Sequence, residues 1–334
     1  MFQYNTIRSI NKKFVMIKTK RDEMNRAILL LNMGGPNNLD EVKLFLHNMF
    51  NDSRIIAAPQ PIRLGISKYI IANRLETSKS NYKEIGGKSP IVEYTQELVD
   101  DLSQKVDASV HMVMRYTPPF ADEVMAGLVG MDEIYAIPLY PQHSSTTTLS
   151  SDDDIYKVAK KLGITDKIRT LDSYQTHPLY ISSLVKRIKE SLNGDNANEF
   201  ELLFSAHGLP LNIVKAGDMY QSQIIETVEA TKKALEKEGI MFGATHLAYQ
   251  SRLGPVEWLR PYMDDTLKSF GGKKVIVYPV AFTIDNSETK HELDIEYREL
   301  AHEVGIIDYR VAAAPNNHPD FVACLADIYE GMKR

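Results

Sequence analysis

Short β-branched or leucine-rich runs alternate with longer amphipathic segments along almost the whole chain, and few folds accommodate that alternation. A strand that is apolar on both faces must be covered on both. A strand followed by a helical segment returns parallel to its neighbour, so the pattern predicts an α/β architecture of βαβ units. The strand candidates are residues 27–31, 109–113, 133–139, 167–171, 201–206, 245–249, 274–278 and 308–311. Between them, segments 92–106, 179–192, 220–237, 257–268 and 287–302 carry apolar residues at helical spacing. Eight strands in 334 residues suit two doubly wound domains better than one sheet. The Ser-rich, acidic stretch 150–154 marks the expected boundary. It gives a first domain of residues 27–152 completed by 312–334, with a last helix (319–332) packing back onto it, and a second domain of 153–311.

Composition removes several classes of function. The chain is 43% hydrophobic and 25% charged, ordinary for a soluble globular protein. Its net charge of -5 argues against a dedicated nucleic-acid binder, which draws affinity from clustered Lys and Arg. The single cysteine, Cys324, cannot form an internal disulfide, a Cys-rich zinc site or a cysteine-ligated iron–sulfur cluster. No run approaches the roughly 18 apolar residues of a membrane span, and the N-terminus lacks the apolar core of a secretory signal. A cytoplasmic protein, or one touching a membrane from outside, is therefore expected. Residues 1–26 hold seven cations against Asp22 and Glu23, a net +5. Such a leader fits a transit peptide, a membrane-surface tether, or a disordered extension upstream of an alternative start at Met16 or Met24; the last is the reading adopted.

In open parallel sheets, ligands bind beyond the carboxyl ends of the strands. The chain concentrates its chemistry there, in Asn32-Met33-Gly34, Arg115-Tyr116, Tyr140-Pro141-Gln142-His143, Ser205-Ala206-His207-Gly208, Gln250-Ser251-Arg252 and Asp285-Asn286-Ser287-Glu288. Nucleotide signatures are missing: no G-x-G-x-x-G follows a strand candidate. Gly87-Lys88-Ser89 imitates the end of a P-loop, but Tyr82 stands five residues before Gly87 and Pro90 follows. Ser89 reads better as a helix N-cap with Pro90 at the first helical position. The G-x-S-x-G elbow and H-E-x-x-H are absent as well.

Two constellations survive. His207 ends the apolar run 202–206; an imidazole fixed there can ligate a divalent metal or move a proton near neutral pH, and equally can serve as a corner residue bonded to backbone. In the segment 285–296, Glu288, Glu292 and Glu296 recur every four residues and share a helix face. Asp285 as N-cap with Glu288 three residues on would be a capping box, and a solvated face would explain the other two. The functional reading is a row of hard oxygen ligands leading a divalent cation to a site.

The blocks LLLNMGGPNNLDEV (29–42), IGGKSPIVEYT (85–95), MRYTPPF (114–120), PLYPQHSSTTTLSS (138–151), LLFSAHGLP (202–210), YQSRLGPVEWL (249–259) and YPVAFTIDNSETKHELDIEY (278–297) together resemble the ferrochelatases, which insert ferrous iron into a porphyrin in haem synthesis. The resemblance covers almost everything after residue 26. It implies two Rossmann-like domains with the porphyrin in the cleft between them. By motif, His207 and Glu288 become the catalytic pair facing the porphyrin centre and the metal, with Asp285 beside them and Glu292 and Glu296 continuing the metal path. Met33, Tyr82, Ser89, Arg115, Tyr116, Tyr140 and His143 fall in motifs that line the macrocycle pocket, Arg115 being suited to a porphyrin carboxylate. Two departures stand out. Some relatives carry a second histidine where this chain has Asn286, which puts a proton-relay role there in doubt. Some also bind an iron–sulfur cluster through four cysteines, whereas here the block position is Ser145 and only Cys324 is present, so no cluster and no permanent cofactor are expected.

The implied reaction releases two pyrrole protons from protoporphyrin IX as iron enters a bent macrocycle, with His207 expected on one face and Glu288 on the other. Segment 61–72, apolar with scattered cations, is similar to the family's pocket lip that rests on a membrane; a helix packed on its own domain fits the same pattern. Three other functions compete. A relative acting on coproporphyrin would need more cations, a porphyrin or metal carrier would need no catalytic pair, and an α/β transferase would need glycine loops.

Overall fold

The structure, a computed structural model, describes residues 24–333 except 253, so residues 1–23 of the basic leader lie outside it. All eight expected strands form, in two parallel four-stranded sheets. The first contains β1 (Arg26–Asn32), β2 (Ser109–Met114), β3 (Glu133–Pro138) and β4 (Ile168–Thr170) in the order β2-β1-β3-β4. The second contains β5 (Phe200–His207), β6 (Ala244–Gln250), β7 (Lys274–Pro279) and β8 (Asp308–Val311) in the order β6-β5-β7-β8. The two halves therefore share one topology although their sequences show no repeat, and the boundary expected at 150–154 falls inside the helix Thr148–Leu162, since β4 pairs with β3 and carries the first sheet on to Thr170. Helices α1 (Glu41–Phe50), α2 (Gln60–Glu84), α3 (Ile91–Ser103), α4 (Ala121–Ala126) and α5 (Thr148–Leu162) belong to the first half of the chain. Then come α6 (Pro178–Leu192), α7 (Leu211–Lys215), α8 (Tyr220–Lys237), α9 (Met263–Lys268), α10 (Tyr297–Glu303) and α11 (Pro319–Met332).

The central strands explain the apolar runs. Every residue of β1 is buried, and its side chains alternate between two cores: Ile28 and Leu30 enter one, Ala27, Leu29 and Leu31 the other. In β5, Leu202 and Phe204 share the core of Ile28 and Leu30, whereas Leu203 packs with Val275 and Val277 on the opposite face. One continuous apolar core thus joins the inner faces of both sheets, filled by α6, α8 and α11. The last helix packs against α6 and α3.

Two helix expectations need correction. Segment 257–268 is helical only over Met263–Lys268, because 257–259 instead run beside 209–211: the Leu211 N–H donates to the Glu257 carbonyl (2.8 Å) and that of Leu259 to Leu209 (3.0 Å). Pro261, which has no N–H to give, then forbids a continuous helix. Segment 287–302 is two elements, a π-helix (Glu288–Glu296) followed by α10. The capping box also fails. Asp285 is not the N-cap; its carboxylate accepts from the Asn316 side chain (2.9 Å), and Asn286 Oδ1 takes the Glu288 N–H instead (2.8 Å).

Residues 61–72 lie within α2. Its inner face is held by Ile71 and by Ser67, whose Oγ accepts from Asn51 (2.9 Å), while Ile62, Leu64, Ile66 and Tyr69 are exposed. Among the described residues, no helix is long and apolar enough to cross a membrane. Leu203 is fully buried in the middle of the second sheet. Leu203→Ala should lower stability by about 2–5 kcal/mol through lost burial and a residual cavity, read from urea unfolding; a loss of only a few tenths would mean that the site collapses to fill the gap.

Candidate active site

In both sheets the first strand lies between the next two, so consecutive connections leave it on opposite sides and a crevice opens at the strands' carboxyl ends, between β1 and β3 and between β5 and β7. One cleft is built from both crevices. It holds about 1210 Å³ of empty space, open mouth included. Asn32, Met33, Arg115, Tyr116 and Tyr140 line it from the first half, and His207, Leu209, Tyr220, Trp258, Ile284 and Glu288 from the second. A broad, mostly apolar ligand fits this wall better than a nucleotide.

His207 is the last residue of β5 and Glu288 the first of the π-helix after β7. The imidazole Nδ1 lies 2.7 Å from Glu288 Oε2, and Tyr220 OH donates to the His207 carbonyl (2.9 Å). The two therefore stand together on one wall, not on opposite faces of the cleft as expected. β5 and β7 are neighbouring strands, and their ends cannot diverge across it. Gly208 lets the end of β6 come close beside His207: its N–H donates to the Gln250 carbonyl (2.8 Å), and a Cβ there would stand 2.7 Å from that oxygen.

Glu292 lies one step along the π-helix, held by Ser251. The Ser251 N–H donates to Oε1 (2.9 Å), its hydroxyl donates to Oε2, and Gln250 Nε2 reaches Glu292 (3.1 Å) and Glu288 (3.3 Å). Ser251 adopts φ +64°, a left-handed conformation that turns both its donors toward the carboxylates. Glu296, half-exposed, is 3.5 Å from His291 Nδ1. The acidic row thus runs from cleft to surface. Asp285 does not join it: it is buried beside Asn316 and Ala314 and is no part of the cleft wall. Asn286 lines the cleft and fixes the backbone of Glu288.

Of the seven pocket residues taken from motifs, Met33, Arg115, Tyr116 and Tyr140 line the cleft, and Tyr82, Ser89 and His143 stand behind it. Tyr82 OH is 3.2 Å from Ser287 Oγ, and burial raises its phenol to about 12. Ser89 lies against Gly35, where a Cβ would come within 2.6 Å of it; its Oγ accepts weakly from the Ile91 N–H (3.4 Å), and Pro90 holds the capping position. His143 Nδ1 is 2.6 Å from Asp172. Most donors of Arg115 are already engaged: Nη2 pairs with the buried Asp52 (3.0 Å) and Nε donates to Ser150 Oγ (3.0 Å), while Tyr116 OH also donates to Asp52 (3.0 Å). Asp52, Tyr220, Gln250 and Ser251 carry site geometry that sequence reasoning did not assign. Their one legible signal was the position of Gln250 and Ser251 at the carboxyl end of β6. Cys324 is fully buried in α11, its Sγ 3.2 Å from His177 Nδ1, and burial holds its thiol far above the ordinary range.

A family model described as Ferrochelatase matches residues 25–332. Among curated proteins, the chain is 46% identical over 313 residues to the ferrochelatase of Sulfurimonas denitrificans, covering 92% of this chain and 99% of that one. To that of a Nitratiruptor species it is 44% identical over 311 residues, covering 92% and 100%. To that of Helicobacter pylori it is 38% identical over 312 residues, covering 92% and 93%. Among solved structures, SirB from Bacillus subtilis with Fe3+ is similar in fold, with a TM-score of 0.57 at 10% identity over 93% of this chain and 96% of that one. DR2241 from Deinococcus radiodurans, described as structurally similar to chelatases, has a TM-score of 0.51 at 12% identity over 91% and 54%.

The site's electrostatics follow from two acids, Glu288 and Glu292, beside one imidazole. Burial by itself would lower the His207 pKa, but the Glu288 charge and hydrogen bond, aided by Glu292, outweigh it and hold the imidazole above its ordinary value. Burial first, then the Glu288 charge, push the Glu292 carboxyl up to about 7, against the pull of Ser251 and His207. A carboxyl whose folded pKa exceeds its unfolded value binds more protons when folded, so its contribution to stability is present below about 4.3 and is lost as pH rises through about 7. Glu292→Gln should therefore gain stability over the parent at pH 8 relative to pH 5, by up to about 3 kcal/mol, measured as urea midpoints at both values; an equal difference at the two would mean that the carboxyl titrates normally.

Proposed function

The chain belongs to the ferrochelatase family, and on that footing we propose that it inserts ferrous iron into protoporphyrin IX with His207 as proton acceptor. The observation that carries this reading is the 2.7 Å contact of His207 Nδ1 with Glu288 at the edge of an apolar cleft. With Nδ1–H donating to the carboxylate, Nε2 keeps its lone pair for a pyrrole proton, and the imidazolium that forms lies against Glu288. The apolar wall supplies binding energy that offsets bending of the macrocycle, so the ring nitrogens point out of its plane. The row Glu288, Glu292, Glu296 offers ferrous iron, a substrate here, hard oxygen ligands from the surface inward, and gives the released protons a route back along it.

Protoporphyrin is favoured over coproporphyrin by charge. Among the described residues lining the cleft, Arg115 is the one Lys or Arg, and it is already paired with Asp52; four carboxylates would ask for more cations than two. The exposed Ile62, Leu64, Ile66 and Tyr69 on α2 support a peripheral membrane contact that hands over a poorly soluble porphyrin.

Purified protein mixed with protoporphyrin or coproporphyrin and ferrous or zinc ion should quench free-porphyrin fluorescence catalytically, and faster with protoporphyrin. His207→Ala should cost about 100-fold or more, and Glu288→Gln a comparable amount. Near-normal zinc insertion by His207→Ala would collapse the assignment, and stoichiometric quenching without turnover would make the chain a carrier. Co-sedimentation with anionic vesicles should disappear on Ile66→Asp, and its persistence would remove the membrane contact.

A further inference from the structure

A second set of polar contacts joins the two halves of the molecule away from the catalytic pair. The segment after β3 carries Gln142, His143, Ser144 and Ser145, and each is bonded to α8 or the loop before it. Asp218 Oδ2 accepts from Ser145 N–H (2.7 Å), Ser145 Oγ (2.6 Å) and Ser144 Oγ (3.1 Å). Gln223 Oε1 accepts from the His143 N–H (2.6 Å), and Gln142 Nε2 donates to Thr227 Oγ1 (3.0 Å). The other oxygen of Asp218 accepts the Tyr220 N–H (3.0 Å), and Tyr220 is the residue whose hydroxyl supports the His207 carbonyl. Gln142, Ser144 and Thr146 line the cleft from one side and Tyr220 from the other.

We propose that Asp218 is a positioning residue: one of its carboxylate oxygens gathers three donors from the first half, the other anchors Tyr220, and together they fix the width of the cleft and the setting of the His207 backbone. Hydrogen bonds to an ionised acceptor are roughly twice as strong as neutral ones, and the bonds of Asp218 span 73 and 74 residues of sequence. Asparagine cannot replace it, because one end of an amide donates and the carboxylate here must accept at both ends. The inference rests on the chelatase reading only for its kinetic consequence.

Two readouts test it. Hydrogen exchange of peptides spanning 142–148 should speed up about tenfold in Asp218→Asn and Asp218→Ala, because the Ser145 amide loses its acceptor. Under turnover, the same variants should raise the porphyrin KM about tenfold while kcat stays within about threefold. Asp218→Glu should recover part of the loss, and Asp195→Asn, which breaks a surface ion pair with Arg310, should change neither quantity. Ser145→Ala is the milder probe: it removes one of the three donors, should raise KM two- to threefold, and decides the matter by the same criteria if Asp218→Ala does not fold. Unchanged exchange, or faster exchange with unchanged KM, overturns the proposal. A parent protein that turns over no porphyrin would overturn the functional reading instead, leaving the exchange result to judge the clamp.

Discussion

A parallel sheet has no face that tolerates water, and the rest of the structure answers to that requirement. Both central strands are apolar on both sides, so helices must cover both faces and the loops gather at the ends of the strands. Polar chemistry is left with the carboxyl ends. Because each sheet's first strand sits between the next two, those ends open into a crevice in each half. Sharing one apolar core brings the two crevices into a single cleft.

Within that cleft, proximity does what individual residues could not. A strand-end histidine alone would lose its proton readily under burial; set 2.7 Å from Glu288 it gains affinity for one. Glu292 moves the same way, pushed up by its burial first and by the Glu288 charge second. Burial therefore opposes the proton on His207 and favours it on Glu292, while the Glu288 charge favours both, and Ser251 and Gln250 keep the like charges from separating.

The strands were legible because the central ones, β1, β3, β5 and β7, are buried along most of their length and read as apolar runs. The helices were less so. Leu259 stands four residues before Met263, a helical spacing, yet backbone pairing with 209–211 claims it first. The π-helix leaves no mark in the sequence, since i→i+4 and i→i+5 bonding accept the same residues. Motif resemblance picked out His207 and Glu288, but not that neighbouring strands would put them on one wall. It also named Tyr82, Ser89 and His143, which support lining residues from behind. Asp52, which holds Arg115 and Tyr116, lies in a loop whose pattern carries no signal; only the tertiary fold brings it there.

The burial of Cys324 has a practical side. The thiol is inaccessible and firmly protonated, and it is the only one in the sequence. A cysteine introduced on the exposed face of α2, at Ile62 or Tyr69, would therefore be the sole reactive thiol of the molecule. Spectroscopic labels could be attached there without altering a native residue elsewhere, and the environment of that face followed as porphyrin comes and goes.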